Sequence, residues 1–247
     1  MTPEIPFRRN VVEPVACIKG GWELIKNQYW LFFGMTLVAV LIGSAVPIIL
    51  IGPMMCGLNL AFFKTRRGEP VEFGTLFKGF DYFGQSLIAA LLHALPILVV
   101  VIPAYVFFYI SMIVSIAAQG NDPNPSPAPF LGVMAVFGLF WLVVMIVIIV
   151  ISIGFLFAYP LIVDRKLKAI DAIKLSFRAG LSNFWRLLGM MLLTGLMTTV
   201  GVLACYVGAF LVMPLSYAAI AKAYEQVFGL SEGGEFSNMP PPPPVFN

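Results

Sequence analysis

Residues 142–153 read Leu-Val-Val-Met-Ile-Val-Ile-Ile-Val-Ile-Ser-Ile. Twelve consecutive positions carry no charge and no Gly, Pro, Asn or Asp to turn the chain. They form the middle of an uncharged run from Phe130 to Val163, and three runs of similar length accompany it: Trp30–Phe63, Ser86–Gly120 and Leu187–Ala221. A helix of about 34 residues is roughly 50 Å long, against about 30 Å of bilayer hydrocarbon. Each run is therefore either a hairpin of two short helices or one long, tilted helix. Periodicity does not separate the two, because a lipid-embedded helix is apolar all round. A hairpin does need a turn at its midpoint, and 142–153 has none. One continuous helix from about Phe130 to Val163 is expected.

Composition places the runs in a membrane. Of 247 residues, 60% are hydrophobic and 11% charged, where an ordinary soluble domain has about 45–50% and about 25%. The mean hydropathy is +0.94. Fifteen Lys and Arg with twelve Asp and Glu do not cover a soluble globule of this size, which excludes a soluble enzyme, a disordered chain and a nucleic-acid partner. The three cysteines, Cys17, Cys56 and Cys205, are odd in number and lack C-x-x-C spacing, and Cys56 and Cys205, inside apolar runs, read as packing residues. The segment before Trp30 carries Arg8, Arg9, Glu13, Lys19, Glu23 and Lys26, unlike a cleavable signal, and the N-terminus is expected to be retained.

Charge placement sets the topology. Lys19 and Lys26 precede the first run, and Lys64, Arg66 and Arg67 follow it. Cations mark the cytoplasmic side, so both ends lie there and the run crosses twice. Gly43-Ser44, Pro47 and Pro53 supply turn points. The last run, between Arg178/Arg186 and Lys222, reads the same way. The Ser86–Gly120 run carries Pro96 and Pro103 and is expected to kink there. The cation-free loop Asn121–Pro129 reads as the outside loop. The expected fold is all-α: a polytopic membrane protein with six transmembrane helices and both termini in the cytoplasm of a bacterial inner membrane. All fifteen cations then fall on one side, and among the charges only Asp122 falls outside.

An amphipathic segment precedes each helix pair. The first sets Val15, Ile18, Trp22, Ile25 and Tyr29 opposite Lys19, Glu23 and Lys26. The second has Phe73, Leu76, Phe77, Phe80 and Phe83, with Lys78 and Asp81 elsewhere. The third sets Ile170, Ile173, Phe177, Leu181, Phe184 and Leu188 opposite Asp171, Lys174, Arg178 and Asn183. Lys19-x-x-Trp22 aligns with Lys174-x-x-Phe177, and Tyr29-Trp30 with Phe184-Trp185. The chain thus reads as one membrane domain, 1–228, of three repeated units (about 12–64, 70–163 and 167–228), with a Pro-rich tail, 229–247. The three segments are expected on the cytoplasmic surface of the bilayer, with Trp22, Lys26, Lys78, Lys174, Arg178, Trp185 and Arg186 as candidate lipid contacts. Pro240–Pro244 predicts a polyproline II rod.

Pro53-Met-Met-Cys-Gly57, Asp164-Arg-Lys-x5-Ala172-Ile-x-x-Ser176, Asn183-Phe-Trp185 and the Pro214…Tyr224 ending resemble a broad group of uncharacterised bacterial six-helix integral membrane proteins. These are similar to the membrane domain attached to some glycerophosphodiester phosphodiesterases. The resemblance covers about residues 12–229. It implies an all-helical inner-membrane fold with cytoplasmic interfacial helices, and it carries no activity, because the phosphodiesterase catalytic domain has no counterpart here.

Chemistry is sparse. His93 is the single histidine, which excludes H-E-x-x-H and Ser-His-Asp constellations, and there is no G-x-S-x-G or phosphate-binding G-x-x-x-x-G-K-[ST]. The six spans hold no Asp, Glu, Lys or Arg, which disfavours ion coupling. His93 and Asn59 are the candidate polar intramembrane residues. No enzyme activity, cofactor or metal is expected. The leading expectation is a non-enzymatic inner-membrane scaffold or accessory protein whose partners are membrane lipids, with a larger membrane assembly or a homo-oligomer left open. The alternative is a carrier or channel for lipidic or small apolar solutes.

Overall fold

The computed structural model describes residues 5–119, 128–203 and 207–230; of the expected outside loop Asn121–Pro129 only residues 128–129 are described, opening a helix, and Cys205 and the tail from 231 lie outside the described residues. Among the described residues every regular element is helical. The elements are α1 (Pro14–Ile25), a 3-10 turn (Lys26–Gln28), α2 (Tyr29–Ala45), α3 (Ile51–Arg66), a 3-10 segment (Phe73–Tyr82), α4 (Phe83–Gln119), α5 (Ala128–Phe155), α6 (Ala158–Asp164), α7 (Ala169–Ser182), α8 (Phe184–Leu203) and α9 (Val207–Phe228). Among the described residues five helical stretches are long and apolar enough to cross a membrane: Pro14–Ala45, Phe73–Ala117, Phe130–Asp164, Phe184–Leu203 and Val207–Phe228. The chain is an all-helical membrane protein.

The first run folds as a hairpin, α2 and α3 joined through 46–50, where Ile48 adopts φ 73, an unusual value for a β-branched residue. With 16 residues α3 is about 24 Å long, too short to count among the five stretches. The last run is also two helices, α8 and α9. α5 runs unbroken through 142–153. The expected single helix to Val163 does stop early, at Phe155, before the short α6. Pro160 is the cause: its ring excludes the carbonyl of residue 156 from helical bonding. The Ser176 hydroxyl fills the gap, donating to the Gly154 carbonyl at 2.6 Å and accepting from the Phe157 N–H at 3.0 Å.

The chain forms two compact units, residues 1–90 with 153–247, and residues 91–152. In the second, Tyr105 and Phe108 of α4 meet Trp141 and Phe137 of α5 at ring separations of 5.6 and 4.0 Å, while most other large side chains are exposed.

In the first unit each segment that opens a helix pair docks on the helix ending the preceding pair. The 3-10 segment lies on α3, α7 on α6 and the end of α5, and α1 closes the circle onto α9. The contacts use small residues. A Cβ on Gly57 or Gly79 would overlap the backbone of the other element, at the Leu76 or Pro53 carbonyl. A Cβ on Gly21 would lie 2.9 Å from the Ala219 nitrogen, and one on Gly180 2.5 Å from the Ile153 carbonyl oxygen. Accordingly α7 buries Ala169, Ala172, Ser176, Ala179 and Gly180. The bulky stripes divide: Ile25 of α1 and Leu76 of the 3-10 segment are fully buried, whereas Ile170 is 55% and Phe77 44% exposed. Close backbone approach through small residues, which favours helix contacts in lipid, stands beside these buried side chains. The second segment is 3-10 rather than α, which brings Gly79 onto the Pro53 carbonyl and the Gly57 backbone.

Candidate functional site

The ends of α3, α6 and α9 converge on Asp164, whose carboxylate is fully buried. Arg67, just beyond α3, donates from Nη2 to Oδ1 at 3.2 Å, Tyr224 of α9 donates its hydroxyl to Oδ2 at 2.8 Å, and Arg165 Nε lies 3.2 Å from Oδ2. Arg165 also donates to the Phe228 carbonyl at 3.0 Å. Next to this centre Glu225 accepts from Arg66 at 2.7 Å and from Lys222 at 2.8 Å. A buried carboxylate persists only when paired and hydrogen-bonded. The three groups that satisfy Asp164 come from three separate elements, so the cluster ties the helix ends together.

A strap formed by residues 7–13 crosses α9 and the α7–α8 junction. Asn183, fully buried, holds it: its side-chain amide donates to the Arg8 and Ala179 carbonyls at 3.1 and 3.0 Å, and its Oδ1 accepts from Val11 at 3.2 Å. The Arg8 N–H donates to the Val227 carbonyl at 2.9 Å, Glu13 N–H to Gln226 Oε1 at 3.0 Å, and Arg186 to the Val12 carbonyl at 3.3 Å. Phe7 meets Phe228 at 6.2 Å.

The residues picked from the sequence fall into two groups. Trp22, 46% exposed on α1, contacts the Tyr29 ring at 5.8 Å, and Lys26 is paired with Glu23. Lys78, Lys174, Arg178 and Arg186 are exposed, and Trp185 is 79% exposed. These seven are distributed over α1, the 3-10 elements, α7 and α8 and do not share one cleft; Lys174 and Arg178 alone of them line a groove beside the strap, and Arg186 bonds the strap at the Val12 carbonyl. Of the polar intramembrane candidates, Asn59 donates back to the Met55 carbonyl of its own helix at 2.8 Å. His93 is half-buried on α4, one turn before Pro96. Thr194, Thr198, Thr199 and Ser216 likewise donate to carbonyls of their own helices. Among the described residues, no group of three or more His, Cys, Asp or Glu side chains could hold a metal ion.

Asp164 and Asn183 belong to motifs visible in the sequence, yet no role could be read for them there. The available signal was their type: a carboxylate immediately after an apolar run, and an amide between two helical stretches. Besides Arg165 and Ala179 close by, their partners lie 60 to 175 positions away.

No curated protein and no solved structure matches the chain. A protein-family profile, "Protein of unknown function (DUF975)", matches residues 21–194. The chain, with its docked helical pairs and charge-locked helix ends, therefore belongs to the DUF975 family.

Proposed function

We propose that the protein is a non-enzymatic scaffold or accessory protein of a bacterial inner membrane, engaging lipids and a membrane-protein partner or a second copy of itself. One observation carries this reading: α1, the 3-10 segment and α7 grip the protein through small residues and turn their aromatic and cationic side chains outward. Aromatics and cations on a single outward surface suit the headgroup layer of an anionic leaflet.

In this reading the chain crosses six times, with α2 and α3 as the first two crossings and both termini in the cytoplasm. The cations on both sides of that hairpin support it. A hairpin somewhat shorter than the bilayer is accommodated by local thinning at modest cost. The likeness to the membrane domain attached to some glycerophosphodiester phosphodiesterases is a likeness of membrane architecture and lends no catalytic role.

Reconstitution into vesicles tests the scaffold against a carrier. A scaffold leaves the transbilayer movement of a fluorescent phospholipid at the protein-free rate. Protein-dependent acceleration overturns the scaffold and favours a carrier of lipidic solutes.

A further inference from the structure

Between the strap and α7 lies an open groove of about 800 Å³. Its apolar lining includes Phe7 from the strap with Ile173 and Phe177 from α7, and its cations are Arg9, Lys174 and Arg178. One carboxylate, Asp171, also lines it, so the lining carries a net charge of about +2. Among the described residues none of the three cations is paired with a carboxylate. Arg9 instead lies over the Phe7 ring, its guanidinium carbon 5.9 Å from the centroid.

The groove is held open by construction. Asn183 fixes the strap at Arg8 and Val11, and Asn10 turns it at φ 53. The same outward side of α7 exposes Ile170 and Leu181, apolar side chains suited to the acyl boundary. An apolar groove with a cationic rim, opening beside lipid-facing side chains, is complementary to a molecule with an anionic head and an apolar body.

We propose that this groove is a binding site for one anionic phospholipid. Arg9, Lys174 and Arg178 take the headgroup phosphate, and Ile173 and Phe177 take the adjoining acyl chains. The proposal rests on the reading above that α7 lies in the headgroup layer, and deepens it from diffuse contact to a defined site.

The test uses the full chain in detergent, supplied with phosphatidylglycerol or phosphatidylcholine, with retained lipid counted by native mass spectrometry. The wild type should retain one phosphatidylglycerol under conditions that strip phosphatidylcholine. The triple variant Arg9→Gln, Lys174→Gln, Arg178→Gln should lose that retention by roughly 100-fold. The control triple Lys19→Gln, Lys166→Gln, Lys168→Gln removes equal charge from exposed positions that do not line the groove and should retain the lipid. Lys174→Glu with Arg178→Glu repeats the test with reversed charge, and a thermal melt checks that each variant is folded. Equal loss in both triples, or equal retention of the two lipids by the wild type, overturns the site. Either result leaves the vesicle assay, and so the scaffold reading, to be judged separately.

Discussion

Asp164 is the residue on which three helix ends depend. Replacing it with Ala takes from Arg67 and Arg165 the buried carboxylate they share, leaving Arg67 its longer 3.9 Å pairing with Glu69. Removing one member of a buried ion pair costs about 3–5 kcal/mol; with both arginines about a quarter exposed, the lower end applies. A melt of Asp164→Ala in detergent should show that loss, and Tyr224→Phe, which removes one hydrogen bond to a charged group, should lose about 1.5–3 kcal/mol. A Tyr224→Phe melt matching wild type would mean that the hydroxyl contributes nothing. Asn183→Ala should act differently, because its bonds hold a strap rather than a core. Amide exchange across residues 8–12 should rise several-fold while α8 is unchanged. Neither residue's role was legible in the sequence, where a lone Asp after an apolar run looks like a membrane-edge charge and a lone Asn like a helix boundary.

At the scale of elements, small residues determine which helices touch. Gly57 and Gly79 bring α3 and the 3-10 segment to backbone contact, whereas Gly74 of the same segment faces open space. Gly57→Ala should therefore lower the midpoint of thermal unfolding, in line with the roughly 1–3 kcal/mol of an overpacked core. Gly74→Ala should stay within about 0.5 kcal/mol of wild type. Equal melts for both variants would contradict the close approach. That α1 and α7 are helices was readable from residue spacing, and so was the unbroken middle of α5. Which stripe meets the protein was not, because lipid and protein interior are about equally apolar and close approach alone separates them. The helix break at Phe155 also had a visible cause, Pro160, but its repair by Ser176 comes from a helix about twenty residues further on.

At the scale of the whole molecule, six crossings predict that a cysteine at Asn121 is labelled by a membrane-impermeant reagent from outside and one at Ser231 only from inside. A cysteine at Val46, in the α2–α3 turn, should be labelled from outside as well; protection there would make the hairpin re-entrant and remove two crossings. The sequence by itself determined the solvent of this protein, since 11% charge leaves too few polar groups to face water. It also carries the expectation that the cations gather on one side, because moving a cation across the bilayer is costly, and the labelling above tests that expectation. Only the tertiary structure decided that each opening segment docks on the pair before it and that α1 closes the circle on α9. It alone brought Arg67, Asp164 and Tyr224 together and set the strap beside α7. Those outcomes depend on backbone approach and hydrogen bonds between residues 60 to 175 positions apart, for which composition and local periodicity carry no signal.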